Sequence, residues 1–244
     1  MLNLIKGNIL RLLKNMIYLG GCVIAFFVTY YFTMSRPVAF MARWSENCIM
    51  IFVSAATILY FSFFTGLFVG TEYSDGVIRN KMIAGHSQLK IYVSDYLSLV
   101  LAMIFMFVMW LMGGILGGGR LNRELCVYTI VALCYNAAYI AIMMAISFRI
   151  KKQVFSVIAG MGIFYFMTNM VLLGNFFVSS LDGVVQKIAA VFYSMNVFGQ
   201  YFIHLGLMDE GADLGLGVRL FLSLLILVIA SLAGTMELKN RDVK

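Results

Sequence analysis

The sequence has little charge and few of the side chains that carry out catalysis. Asp, Glu, Lys and Arg make up 12% of its 244 residues, and histidine occurs only at His86 and His204. Two histidines supply no histidine-based metal cluster. The sequence contains neither a GxSxG nor an HExxH motif, which argues against a serine or zinc hydrolase site. We therefore expect a non-catalytic chain that holds no metal or cofactor of its own.

The cysteines give no sign of a disulfide framework or a metal site. No two of the four are separated by two residues, and all lie in or at the edges of apolar runs, at Cys22, Cys48, Cys126 and Cys134. Cysteine in such surroundings behaves as a small apolar residue. We interpret these cysteines as packing residues.

Apolar residues dominate the composition instead. They account for 62% of the chain, against roughly 45–50% in soluble proteins. The formal charge of +7 comes from short basic clusters beside apolar runs. Such clusters indicate membrane topology and not a nucleic-acid surface. No polar block of domain size interrupts the sequence, so we expect one all-α integral membrane domain over 1–244, with the lipid bilayer around it and no nucleic-acid partner.

Six apolar runs are long enough to cross a bilayer. They lie at about 17–34, 48–69, 91–112, 125–148, 153–174 and 216–236. Before them, residues 2–16 place apolar side chains on one arc and basic or amide side chains on the other, which predicts a basic amphipathic helix in the inner interface. The first run ends without a small-residue cleavage pattern, so we interpret it as a retained span and not as a signal peptide.

The Lys and Arg residues of the connections predict the orientation. Twelve of the eighteen fall on one side of the six-span map and six on the other, which places both termini in the cytoplasm. Segment 175–215 is then external. Its apolar middle, 183–206, is interrupted by Lys187, Gln200 and His204, so we expect two short helices that dip into the outer leaflet without crossing it.

Polar groups inside the predicted spans are few. No Asp, Glu, Lys or Arg lies near the middle of any span, whereas ion-coupled carriers and proton relays place ionisable residues there. Thr57, Asn136 and Asn169 either line a pathway or form hydrogen bonds between helices. Uphill transport by this chain would therefore need an external source of energy.

Segment 70–95 is a long polar interruption that should face the cytoplasm, and most of it, 70–90, is the loop between two spans. A connection between two spans needs only a few residues to turn round. The segment is therefore either a solvated loop with a short helix or a docking element for a cytoplasmic partner.

The residues of this region resemble the permease subunits of ABC-2 type transporters. The similar stretches are FFTGLFVGTEYSDGVIRNKMIAGHS at 63–87 and KIYVS at 90–94, in which the matching positions are Glu72, Gly76, Arg79, Asn80, Lys81, Gly85, Tyr92 and Ser94. Val77 stands where this family commonly has threonine, and Asp95 where it commonly has lysine. The family shares the expected architecture, with an amphipathic N-terminal helix, six spans and a hydrophobic hairpin before the last span.

The resemblance implies a pathway formed by two permeases, either two copies of this chain or one copy and a related permease. Two separate ABC ATPase subunits would bind ATP and Mg, since this chain has no Walker A or ABC signature motif. They would dock on a coupling helix after the second span, through Glu72, Tyr73, Gly76, Arg79, Asn80, Lys81, Ile83 and His86.

The resemblance also implies a multi-pass protein of a bacterial plasma membrane that exports an amphipathic or antimicrobial peptide. The alternative is a non-transporting scaffold or sensor that recruits a cytoplasmic partner through the same loop. A membrane-embedded enzyme is the third hypothesis, and the missing catalytic groups argue against it.

Overall fold

A computed structural model describes residues 1–150, 152–181, 183–205 and 214–238 of the protein. Every regular element in these ranges is helical. In chain order they are α1 (Leu2–Leu13), α2 (Met16–Ser35), a short 3-10 helix (Ala39–Arg43), α3 (Glu46–Ser54), α4 (Ala56–Ser74), α5 (Val77–Ile83), α6 (Gln88–Leu116), α7 (Arg123–Arg149), α8 (Gln153–Ser180), α9 (Gly183–Met195), α10 (Val197–His204) and α11 (Leu216–Leu238).

Six stretches in these ranges are long and apolar enough to cross a membrane. They are Met16–Ser35, Glu46–Ser74, Gln88–Leu116, Arg123–Arg149, Gln153–Phe176 and Leu216–Met236. The expected all-helical, multi-pass character with six candidate spans is confirmed. The second stretch combines α3 and α4, which meet at a turn at Ala55, and it continues five residues beyond the predicted end at 69.

Polar side chains fix where several helices begin. Asn15 accepts hydrogen bonds from the backbone N–H groups of Ile17 and Tyr18, and so caps α2 immediately after α1 ends. Ser45, Ser87 and Asn122 cap α3, α6 and α7 in the same way. The first N–H groups of a helix have no partner within it, so these caps define the ends of apolar helices that sequence periodicity leaves imprecise.

Glycines allow the close contact between α4 and α8. A Cβ at Gly66 would lie 3.0 Å from the backbone of Ser156, and one at Gly160 would collide with the carbonyl of Ser62. Small residues at such positions let two helix backbones approach, which is a principal source of stability where the hydrophobic effect between helices is weak. Helix α7 packs in turn against α11, and α2 against α6.

Helix α9 runs inward along α8. The Nδ2 group of Asn196, between α9 and α10, donates to the carbonyl of Met167 at 2.8 Å, near the middle of α8. The Nε2 group of Gln186 donates to the carbonyl of Val178 at 3.2 Å, close to the end of α8. The tip of the α9–α10 segment therefore lies deep in the bundle.

Helix α10 returns toward the end from which α9 came. The Asn136 Nδ2 group donates to the Tyr201 hydroxyl at 2.9 Å, and three residues later the ring of His204 lies 4.9 Å from that of Tyr128. Tyr128 is nearer than Asn136 to the beginning of α7. The two short helices thus form a hairpin that packs against α7 and α8. The 206–213 part of the expected external segment lies outside the described residues.

Candidate functional site

Four charged side chains meet where α1, α4, α5 and α6 converge. They are Arg11, Glu72, Lys81 and Asp95, called here the charge cluster. Both carboxylates are 0% exposed, while the side chains of Lys81 and Arg11 are 12% and 30% exposed. Isolated buried charges are strongly destabilising, so this arrangement depends on the pairing of two acids with two bases.

Lys81 is the centre of the cluster. Its Nζ atom lies 2.8 and 2.9 Å from the two carboxylate oxygens of Glu72 and 3.1 Å from Oδ1 of Asp95. A further hydrogen bond of 3.1 Å runs from the same Nζ to Oδ1 of Asn8. One side chain of α5 thereby bonds to the last turns of α4, the first turns of α6 and the N-terminal helix.

Arg11 joins α1 to the end of α4. Its Nη1 donates to Oε1 of Glu72 at 2.5 Å, and its Nη2 donates to the Thr71 hydroxyl at 3.0 Å and to the Phe68 carbonyl at 3.2 Å. The guanidinium also lies 4.5 Å from the centre of the Phe68 ring. Because Arg11 uses charge, hydrogen bonds and a ring face on one helix end, α1 is held in a defined position.

Asn8 connects α1 to α6. It is buried, and its Nδ2 donates to Oδ1 of Asp95 at 2.6 Å. Asn8 and Arg11 are three residues apart and so lie on one face of the helix. That face is turned into the bundle, while Leu2 and Leu13 on other parts of the helix are exposed. Leu4 and Leu12 are buried as well, so the packing surface of α1 combines polar and apolar residues.

The backbone between α4 and α6 brings Lys81 back to Glu72. Helix α4 continues to Ser74, and Gly76 adopts the left-handed conformation with φ of 67°, which glycine accepts without strain. The short helix α5 then runs beside the end it has just left. Glu72 is therefore not in the first turn of a helix. It lies in the last turn of α4, where the helix dipole disfavours a carboxylate and the two cations offset that effect.

The residues expected to dock a partner fall into three groups. Arg79, Asn80 and Ile83 are exposed, Ile83 to 75%, and are called here the exposed face of α5. Four are half-buried: Tyr73, Gly76, Lys81 and His86. Glu72 is fully buried and therefore unavailable to a docked protein, because the cluster occupies its carboxylate.

Tyr73 shows how the half-buried group serves the fold. Its hydroxyl donates to the Phe148 carbonyl at 3.3 Å, and the two rings meet edge to face at 5.8 Å. This contact ties the end of α4 to the end of α7. The charge cluster thus ties α5 to α1, α4 and α6. Tyr73 of α4 adds a contact with α7.

Sequence patterns did not predict that Asn8, Arg11 and Asp95 belong to the charge cluster. Asp95 did carry a signal, since it is a lone acid near the start of an otherwise uncharged apolar run and departs from the lysine common in the similar family. Asn8 and Arg11 carried a weaker one in their three-residue spacing. Their partner could not be inferred, because 87 residues separate Asn8 from Asp95 and 61 separate Arg11 from Glu72.

Each of the three polar residues considered for a pathway donates a hydrogen bond to a backbone carbonyl of its own span. The Asn136 Nδ2 group donates to the Ala132 carbonyl at 2.8 Å as well as to Tyr201, and Asn169 Nδ2 donates to the Tyr165 carbonyl at 2.7 Å. Thr57 donates to the carbonyl of Ser54 at 2.6 Å. The Tyr201 hydroxyl of α10 therefore meets both Asn136 of α7 and Thr57 of α4, whereas the bond of Asn169 lies within α8.

Comparison with known proteins gives no assignment. The chain matches no family model, and no curated protein or solved structure is significantly similar to it. In the described part of the chain, no three His, Cys, Asp or Glu residues are grouped so that they could hold a metal ion.

Proposed function

We propose that the chain is the permease subunit of an ATP-driven ABC-2 type exporter and that α5 is its coupling helix. The observation that carries this proposal is the bonding of Lys81, in α5, to buried acids on both adjacent candidate spans. A solvated loop does not need such bonds to the spans, because its charges are satisfied by water. A helix that must transmit force between a soluble subunit and the membrane does need them.

The charge cluster suits this transmission. Helix α5 has seven residues between two turns, and its Lys81 is bonded to the ends of α4 and α6 as well as to α1. Displacement of α5 therefore displaces the ends of two spans and the interfacial helix together. Rigid-body movement of packed helices is a common way in which a small shift at one site alters the packing at another.

The exposed face of α5 is the surface offered to the ATPase. Arg79 and Ile83 are four residues apart and so lie on the same side of the helix, with Asn80 beside them. This set fits a partner surface that has an acidic group next to an apolar pocket. ATP and Mg bind to the partner, two copies of which serve two permeases, either two of this chain or one and a related chain.

The remaining parts of the proposal follow from charge and from the family resemblance. Both termini and α5 face the cytoplasm of a bacterial cell, in agreement with the excess of Lys and Arg on that side. The α9–α10 hairpin faces outward. The exported substrate is an amphipathic or antimicrobial peptide.

Extraction of the chain from its native membrane in mild detergent tests the proposal. We expect an ATPase with Walker and signature motifs to co-purify in stoichiometric amount. Arg79→Glu should abolish that co-purification, and the matched control Lys90→Glu, at an exposed position on the first turn of α6, should retain it. Recovery of a non-ATPase partner instead would favour the scaffold or sensor function, which would use the same exposed face.

A further inference from the structure

A lateral cavity lies between α2 and α4 and is closed at the back by α6 and α8. Its volume is about 800 Å³, and its wall includes Gly20, Ala25, Thr57, Tyr60, Trp110 and Met161. Ile24 and Leu59 also line it and are exposed, so the cavity opens sideways on the surface of the bundle. In a membrane, an opening between two candidate spans lies at the depth of the hydrocarbon.

The three hydroxyls of the wall offer no free hydrogen-bond donor to a ligand. Thr29 and Thr57 each donate to a backbone carbonyl of their own span at 2.6 Å, and the Tyr60 hydroxyl donates to the carbonyl of Ile17 at 3.2 Å. The other lining residues are apolar or glycine. A peptide strand would lose its backbone hydrogen bonds here, which disfavours it strongly, whereas a hydrocarbon chain loses none.

The cavity is elongated along the bundle. The lining runs along α2 from Met16 to Thr29, a length of about 20 Å at the rise of an α-helix. An elongated apolar chain fits along this wall.

The charge at one end of the cavity identifies the kind of molecule. Met16 lies just after the interfacial helix α1, and Lys14, two residues earlier, is exposed. A lysine at the membrane interface attracts the phosphate of a lipid headgroup. We propose that the cavity is a binding site for one acyl chain of a membrane phospholipid whose headgroup lies beside Lys14. This site is independent of the proposed transport function.

Gly20 allows a direct test. A Cβ at Gly20 would have no atom within 4 Å, so Gly20→Leu places a side chain in the cavity without a clash. Gly162→Leu is the matched control, because Gly162 is equally open and lies on α8 outside the lining. Both changes replace a helical glycine by a better helix former, so neither is expected to unfold the protein.

The measurement uses the complete protein, with whatever subunits accompany it, in nanodiscs of phosphatidylglycerol and phosphatidylcholine. A trace of phosphatidylglycerol carries a photoreactive group on one acyl chain, and the labelled residues are mapped by mass spectrometry. We expect labelling of the wild-type protein to concentrate on the cavity-lining residues of α2 and α4. In Gly20→Leu it should fall to the level of the exposed face of α11, and in Gly162→Leu it should remain. Lys14→Gln should also reduce it.

Three results would overturn the assignment. Labelling that is equal on all lipid-facing helices would show that the acyl chain is not held at this place. Labelling that persists unchanged in Gly20→Leu would put the bound chain elsewhere. Protection of α2 and α4 by an accompanying protein subunit would show that a protein, and not a lipid, covers the cavity.

Discussion

Replacing Lys81 by methionine tests the structural role of the charge cluster. The change keeps the length and the apolar stem of the side chain but removes hydrogen bonds to Glu72, Asp95 and Asn8. Arg11 would still neutralise Glu72, while Asp95 would keep only the donor of Asn8. Breaking a buried ion pair costs about 3–5 kcal/mol. Because Arg11 remains, we expect the lower end, about 3 kcal/mol.

The assay is the temperature at which half of the purified protein loses its monodisperse form in mild detergent. For a chain of this length, a loss of about 3 kcal/mol corresponds to a fall of roughly 6–12 °C. The matched control is Lys90→Met, which replaces an exposed lysine outside the cluster. This change should alter the free energy of unfolding by less than about 0.5 kcal/mol.

A second substitution separates lost charge pairing from lost packing. Adding Asp95→Asn to Lys81→Met removes the uncompensated carboxylate and leaves the Arg11–Glu72 pair complete. We expect the double variant to recover more than half of the lost stability, because the two residues share one interaction. If Lys81→Met melts together with Lys90→Met, or if Asp95→Asn only adds to the damage, the argument from buried charge is refuted.

Three further predictions concern other parts of the molecule. Arg79→Glu should abolish binding of the ATPase while leaving the melting midpoint unchanged, as measured by co-purification and thermal stability of the same sample. Gly160→Leu should destabilise the bundle by about 1–3 kcal/mol through its clash with the backbone of α4, whereas Gly162→Leu should melt like the wild type. Asn196→Leu removes the hydrogen bond to Met167 and the cap of α10, at a cost of about 1–2 kcal/mol in the same assay.

The candidate spans could be predicted from the sequence because the bilayer imposes their length and their lack of charge. The end of the second span could not, since Thr71 and Glu72 look like loop residues. They remain helical because Arg11 binds both of them. Hydropathy describes each residue alone, whereas the helical state of these two depends on a side chain sixty residues away.

The same difference between the properties of single residues and tertiary contacts applies to the site. Arg79, Asn80 and Ile83 of the predicted docking set are exposed, and their docking role stays a prediction. Glu72 was placed with them because it is a charged residue in a polar segment, yet burial and pairing decide its role. Only tertiary contacts show that an acid on α6 and an amide on α1 complete the cluster. Sequence spacing carries no information about such distant partners.

Crosslinking from Ile83 in the native membrane tests the central claim most directly. A photoreactive amino acid at this exposed position on α5 should crosslink to a nucleotide-binding subunit, and the yield should change when ATP is added. The same probe at Ile104, an exposed residue within the third candidate span, should react with lipid. Absence of any ATPase adduct from Ile83, with the Ile104 control working, would contradict the assignment of α5 as a coupling helix.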